Sequence, residues 1–403
     1  MPSVDEVIGI QAALLTTQLQ SISAALFPPT AQKQLRKFSS GEVARLVGIT
    51  DSRIRQLALA SQGPQVEVNG AGRRLFSLPQ INELRHYLLS ISRGRRDSHD
   101  YVPHREPGEH LQVLAVTNFK GGSGKTTTSA HLAQYLALRG YRVLAIDLDP
   151  QASLSALFGL LPEVQVGPGE TLYGALRYDA ARRPLREIIR ETYFDGLHIV
   201  PGNLELMEFE HETPRALNGS VAQPGEIFFA RIATAIDSVE KDYDCVIIDC
   251  PPQLGYLTLA GLCAATGMII TVHPQMLDVA SMSQFLLMTN DLLRVVKDAG
   301  AKLQYDFVRY LLTRYEPQDG PQTKIVALLR NLFGDAVLTT PMVKSTAMSD
   351  AGLTKQTLYE IGREGLTRAT YDRAFDALEA VHLEIENQIR TAWGREPRIR
   401  EAT

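Results

Sequence analysis

The sequence predicts an α/β protein: a mostly parallel sheet flanked by helices and built on a phosphate-binding loop, preceded by a helical arm and a winged helix-turn-helix. Three observations predict it. An apolar run, Leu111 to Val116, leads into Lys120-Gly121-Gly122-Ser123-Gly124-Lys125-Thr126-Thr127-Thr128 and then into Ala130 to Leu138, apolar at helical spacing. That order of strand, glycine loop and helix is what a phosphate cradle needs. Downstream, short apolar runs alternate with helical patterns. Upstream, residues 33–96 hold twelve Lys/Arg against four Asp/Glu, a local excess of +8 in a chain whose net charge is −4, so a basic module is joined to an acidic remainder.

The 403 residues, 44% hydrophobic and 21% charged, have the composition of a globular protein of two or three domains. No uncharged apolar stretch reaches membrane-spanning length, and the start MPSVDEVIGI lacks a secretory pattern. The expectation is a cytoplasmic protein. Cys245, Cys250 and Cys263 fall on or beside apolar elements and read as small core residues.

Residues 1–36 form the first region. Val7, Ile8, Ile10, Leu14, Leu15, Leu19, Ile22 and Leu26 recur at roughly helical spacing and Phe27-Pro28-Pro29 ends the run. An apolar face on a free arm needs a partner, and the favoured partner is the same arm of a second chain.

Residues 37–91 read as a winged helix-turn-helix. Ser39-Ser40-Gly41-Glu42 opens a short helix, Gly48-Ile49-Thr50-Asp51 supplies the turn, and Ser52 to Ala60 carries Arg53, Arg55 and Gln56. In this motif the second helix enters the major groove, where arginine and glutamine read base edges. Val66-Glu67-Val68 and Arg74-Leu75-Phe76 flank Asn69-Gly70-Ala71-Gly72, a hairpin whose wing presents Arg73 and Arg74 to phosphates or a minor groove. Leu78-Pro79 starts a further helix. The arrangement is similar to a MerR-type DNA-binding domain; the alternative is a helical hairpin with no nucleic-acid role. Residues 92–110, polar and with two prolines, read as an exposed linker.

In residues 111–403 the candidate strands are Val113–Thr117, Arg142–Asp147, Leu197–Val200, Cys245–Asp249, Met268–Val272 and Phe307–Leu312, with helices between. Residues 211–225 read as a loop of low apolar content and about 366–393 as the final helix. In the glycine loop, backbone N–H groups at the helix start face the anion. Lys125 reaches the β- and γ-phosphates, and the Thr126 hydroxyl ligates Mg²⁺. Val246-Ile247-Ile248-Asp249 is an apolar strand ending in a carboxylate, the Walker B pattern, so Asp249 should hold Mg²⁺ through water. Asp147-Leu148-Asp149-Pro150-Gln151 ends another strand on the side where parallel sheets bind ligands.

The K-G-G-x-G-K-T-T loop, with lysine at its start, resembles the deviant Walker A motif of the ParA/MinD ATPases, a family of P-loop NTPases. D-x-D-P-Q and Asp-x-Pro-Pro resemble that family's other two core motifs, in the expected order, over residues 111 to 390. With the arm and DNA-binding module in front, the chain is most similar to large plasmid ParA proteins, the RepA proteins of repABC-type plasmids. The resemblance implies a slow, Mg²⁺-dependent ATPase that binds ATP or ADP through Lys120, Gly121, Gly122, Ser123, Gly124, Lys125, Thr126 and Thr127. It makes Lys120 the lysine that crosses a nucleotide-sandwich homodimer, and Asp149 the residue that orients the attacking water. Asp147 joins Thr126 and Asp249 in supporting the metal. Pro274, in His273-Pro274-Gln275, falls on the nucleotide side of the dimer interface, and Arg314, in Thr313-Arg314-Tyr315, on the adenine side. It further implies non-specific DNA binding on the nucleoid, hydrolysis stimulated by a ParB/RepB-type centromere-binding partner, and repression of its own operon. Lys355, Arg363 and Arg368 are candidates for the non-specific contact. The alternative is a nucleotide-sensing repressor with no segregation role. A MinD-like membrane helix conflicts with Glu379, Glu384 and Glu386 in the last helix, and an iron–sulfur reductase with the buried cysteine pattern.

Overall fold

Residues 3–26, 33–70, 72–92, 98–218, 227–301, 303–362 and 367–399 of the computed structural model are described. The chain forms two units, residues 1–34 and 35–403. Among its described residues the first holds one helix, Val4–Leu26, about 34 Å long at 1.5 Å per residue. Ser3 and Glu6 close its start, the Ser3 amide donating to the Glu6 carboxylate at 2.9 Å. Val4, Val7, Ile8, Ile10, Leu14 and Leu15 are exposed on it. The side chains of Leu19, Ile22 and Leu26, and the Phe27-Pro28-Pro29 stop, lie outside the described residues.

The second unit begins with β1 (Phe38–Ser39). Ser39 caps helix Ser40–Val47 through a capping box with Glu42, and Gly48 ends the helix in the left-handed region (φ 73°). Thr50 caps helix Asp51–Leu59, its hydroxyl accepting from the Arg53 amide at 3.2 Å. β2 (Glu67–Val68) and β3 (Arg74–Phe76) form the hairpin, and β3 also pairs with β1. Helix Leu78–Ile91 follows, with proline in its first turn. Val43, Val47, Ile54, Leu57, Phe76, Ile81 and Leu84 make the small core.

The large sheet contains β4 (Gln112–Thr117), β5 (Val143–Asp147), β6 (Arg190–Glu191), β7 (Leu197–Val200), β8 (Cys245–Asp249), β9 (Gly267–Val272) and β10 (Phe307–Leu312), ordered β10-β9-β4-β8-β5-β7-β6. All pairs are parallel except β6 with β7. β4, β5, β8 and β9 are buried throughout, which is why they read as unbroken apolar runs: helices cover both faces. β6, two residues long, carries no periodic signal.

The winged module does not hang on a tether. Phe38, Leu57 and Leu84 belong to the same buried cluster as Leu132, Leu136 and Ile385 beside the sheet. Arg85, 2% exposed, bridges three segments by donating to the carbonyls of Leu46 and Leu138 at 2.8 Å and of Tyr101 at 3.2 Å. The expected linker differs accordingly. Residues 93–97 lie outside the described residues, Ser98–Tyr101 is helical, and Val102 is buried. Arg105 donates to the Tyr243 and Glu240 carbonyls at 3.1 and 2.6 Å, so this stretch is a docked strap.

One further expectation changes. The presumed loop over 211–225 is helical as far as Asn218, within Met207–Asn218, despite Pro214; residues 219–226 lie outside the described residues. Phe209 and Thr213 are buried, so tertiary packing holds a helix that local propensity disfavours. The last helix is Arg368–Ala392, and its Glu386, fully buried, accepts from Tyr135 and Tyr141 hydroxyls at 2.8 and 2.9 Å and pairs with Arg398 at 3.0 Å. Among the described residues no helix is long and apolar enough to cross a membrane.

Candidate nucleotide site

The loop between β4 and helix Lys125–Leu138 is held open by its glycines and pinned by its neighbours. Gly122 (φ 75°) and Gly124 (φ 89°) sit in the left-handed region that a side chain would strain. Asn118 accepts from the Lys120 amide at 3.0 Å and donates to the Thr271 carbonyl at the end of β9. Ser123 is buried; its hydroxyl accepts from Thr271 at 3.0 Å and its carbonyl from Thr313 at 2.7 Å. Gly121 and Gly122 remain exposed.

Lys125, 6% exposed, folds back so that Nζ donates to the Lys120 carbonyl at 3.1 Å. Burial lowers its pKa, opposed by the charges of Asp249 and Asp149 nearby. Thr126 and Thr127 are half-buried at the helix start; the Thr126 hydroxyl lies beside Asp249, and the Thr127 carbonyl faces His131.

Asp147 and Asp249 are direct partners across the β5–β8 register and both are fully buried. The Asp147 oxygens are occupied by the chain that follows: Oδ1 accepts from the Asp149 amide at 3.2 Å and Oδ2 from the Ser155 amide and hydroxyl at 2.8 and 2.7 Å. The structure thus gives Asp147 a hold on the Asp149 segment that its expected metal role did not include. Asp149 is half-buried, accepts from the Gln151 amide at 2.9 Å, and opens a turn closed by Ala152 in the left-handed region (φ 53°). Asp249 Oδ1 accepts from Ser129 at 2.9 Å, whereas Oδ2 is buried with no hydrogen-bond partner. Burial and the Asp147 carboxylate push the Asp249 pKa up; burial pushes Asp147 up as well.

A partnerless buried carboxylate oxygen beside a threonine hydroxyl fits a hard divalent cation. Among the described residues no group of three or more His, Cys, Asp and Glu side chains could hold a metal ion alone, so a cation here would share its shell with water and phosphate oxygens.

Lys120 pairs with Asp278, in the first turn of helix Met276–Asp298, and the other Asp278 oxygen lies 3.0 Å from His273 Nδ1. Nothing local in the sequence marks Asp278 as the partner of a lysine 158 residues away. Pro274 is buried beside this pair. Arg314 adopts a left-handed φ of 53° and donates to the Gly122 carbonyl at 3.2 Å, which brings it to the loop.

The sequence-selected arginines of the winged module take different positions. Arg53, Arg55 and Gln56 are exposed on helix Asp51–Leu59, whose Ile54 and Leu57 are buried, and Arg55 is paired with Asp51. Arg73 is exposed on the hairpin, and Arg74 is half-buried in β3. Of the late basic residues, Arg363 lies outside the described residues and Arg368 lies 3.6 Å from Asp372.

The sheet order, the loop and the two strand-end carboxylates define a P-loop nucleotide-binding protein of the deviant Walker A class. Known proteins agree. An AAA domain family model matches residues 111–301. A Rhizobium rhizogenes protein named "Putative replication protein A" is 54% identical over 395 residues, covering 96% of this chain and 97% of its own length. The Chromosome partitioning protein ParA of Myxococcus xanthus is 30% identical over 59% of this chain and 77% of its own length. A solved structure described as a Partition Protein, 18% identical, superposes over 98% of this chain and 100% of its own with a TM-score of 0.65, a likeness of fold. The chain belongs to the ParA/MinD family of partition ATPases.

Proposed function

We propose that this protein segregates a replicon by an ATP-driven cycle on DNA and also represses its own operon. The observation that carries the reading is the partnerless, buried Asp249 Oδ2 next to a glycine loop with a buried Lys125. Backbone amides from Gly121 to Thr126, with Lys125, bind the triphosphate. Thr126 and Asp249 would hold Mg²⁺, which when bound neutralises charge on the β- and γ-phosphates. Asp147 fixes the Asp149 segment, and Asp149 orients the attacking water. Lys120 exchanges Asp278 for the phosphates of a second chain as two copies close face to face, with Pro274 and Arg314 lining the nucleotide's flanks and the N-terminal arms joining the copies.

The closed dimer binds DNA through phosphate contacts, and a ParB/RepB-type partner bound at a centromere stimulates hydrolysis and release. Arg53, Arg55 and Gln56 read the operator's major groove, while Arg73 and Arg74 contact its backbone or minor groove. The protein therefore works in the cytoplasm, on nucleoid DNA.

The test is DNA binding with nucleotide as the variable. A non-specific duplex and the DNA upstream of the gene are each titrated with no nucleotide, ADP–Mg²⁺ and ATP–Mg²⁺. Non-specific binding with ATP alone, together with upstream binding that prefers another state, supports the cycle. Binding only to upstream DNA in every nucleotide state removes the segregation role and leaves a repressor.

A further inference from the structure

Glu210 lies on helix Met207–Asn218, remote in sequence from every motif of the nucleotide site. Its carboxylate nevertheless closes the loop that follows the metal-binding strand. Oε2 accepts from the Tyr256 amide and Oε1 from the Leu257 amide, both at 2.9 Å, so one side chain satisfies two free N–H groups at the start of helix Tyr256–Ala264. That helix has no cap of its own, because its N-cap is Gly255. The glycine is what admits the carboxylate: a Cβ at position 255 would lie 2.4 Å from Glu210 Oε1.

The clamped loop runs from Asp249 through Cys250-Pro251-Pro252-Gln253-Leu254 to Gly255. Its near end is fixed in the sheet, with the Cys250 amide donating to Val116 at 3.1 Å and the Leu148 amide to the Asp249 carbonyl at 3.0 Å. Its far end is fixed by Glu210 and by the Thr258 hydroxyl, which donates to the Gln253 carbonyl at 2.6 Å. Helix Met207–Asn218 is itself tied to the Asp147 side of the site. It follows Gly202, whose amide donates at 2.9 Å to the Ser155 hydroxyl that also binds Asp147. A Cβ at Gly202 would come within 3.0 Å of the Asp147 carboxyl carbon, so the segment passes against the site without a gap.

We infer that Glu210 is a positioning residue for hydrolysis: through its two-amide clamp it holds the Asp249–Gly255 loop in register with the Asp147–Asp149 segment. The inference rests on the ATPase reading above. Nucleotide binding depends on the glycine loop, which Glu210 does not touch; turnover depends on the strand-end segments, which it aligns.

The experiment uses the full chain and reads ATP affinity, kcat and melting temperature together. Glu210→Ala should lower kcat about 10- to 100-fold, the range for outer-shell partners of a site, with ATP affinity unchanged. Glu210→Ala with Gly255→Ser supplies a new N-cap in a residue that is already extended; it should restore the melting temperature but not kcat. Gly255→Ala, which displaces the carboxylate without removing it, should reproduce the loss and replaces Glu210→Ala if that variant does not fold. Recovery of kcat together with the melting temperature would show a plain helix cap and overturn the inference, as would an undiminished kcat in Gly255→Ala. A wild-type chain that does not hydrolyse ATP refutes the function proposed above and this inference with it. Turnover in wild type with unaltered variants refutes the inference alone.

Discussion

Replacing Glu386 by leucine removes the acceptor at the centre of the polar group joining the P-loop helix to the last helix. Leucine nearly conserves volume, so the loss is one of polar partners. The carboxylate is fully buried and serves Tyr135, Tyr141 and Arg398. Breaking a buried pair by removing one member costs about 3–5 kcal/mol, and each stranded hydroxyl adds a desolvation cost of about 1–3 kcal/mol unless it finds water. The Arg398 side chain keeps 17% of its exposure and can turn to solvent, which places the pair's share near its lower bound, about 3 kcal/mol, and the two buried hydroxyls bring the expected loss to about 5 kcal/mol. Glu386→Gln, which still offers the tyrosines an acceptor, should lose less.

The assay is urea unfolding of the nucleotide-free protein, comparing midpoints at unchanged slope. Acidity supplies a second reading. Burial alone would raise the Glu386 pKa, but Arg398, Arg139 and the two tyrosine hydroxyls outweigh it and hold it below the usual carboxylate value. A depressed folded-state pKa contributes stability above the unfolded value and loses it as pH falls through the folded one. Wild type should therefore lose its advantage over Glu386→Leu on acidification below the ordinary glutamate range. A penalty under about 1 kcal/mol, the worth of a solvated surface pair, would refute the argument.

Lys125→Ala should abolish ATP binding, measured by equilibrium titration; normal turnover in that variant would remove the site from this loop. Lys120→Ala should keep ATP binding and lose ATP-dependent dimerisation in sedimentation, and a variant that still dimerises leaves the Lys120–Asp278 pair as a purely local contact. Asp249→Asn, or EDTA added to wild type, should suppress hydrolysis, and EDTA-resistant turnover would count against the cation fit. Arg53→Ala with Arg55→Ala should weaken operator binding, by about 1–3 kcal/mol for each arginine that grips a base edge bidentately, and leave ATPase activity intact; loss of hydrolysis instead would place the helix in the ATPase machinery.

The centre of the sheet was legible in the sequence because β4, β5, β8 and β9 are buried on both faces. Leu197–Val200, Cys245–Asp249 and Phe307–Leu312 coincide with their apolar runs, and the other three shift by a residue. The glycine loop was legible because its geometry is local. What escaped notice is tertiary: Asp278 beside Lys120, Ser155 on Asp147, Glu210 on the amides of a distant helix. Helix Met207–Asn218 was hidden by its proline and polar content, and the strap over 102–110 by a composition suited to a linker. The basic excess of residues 33–96 was also only partly what it suggested. Arg85 is internal, and Arg36, Lys37 and Arg55 are matched by Glu42, Glu67 and Asp51, so the charge left for a polyanion is concentrated on fewer side chains.

Arg85 ends on the Leu138 carbonyl, at the far end of the helix that starts at Lys125. Fourteen residues of helix make a rod about 21 Å long, with the phosphate cradle at one tip and the winged module bolted to the other. A tilt of about 5° over such a rod moves its end by about 2 Å, more than a hydrogen bond to a base edge tolerates. If the module grips an operator as proposed above, half-site spacing and affinity would register how the cradle is filled, with no separate relay between them.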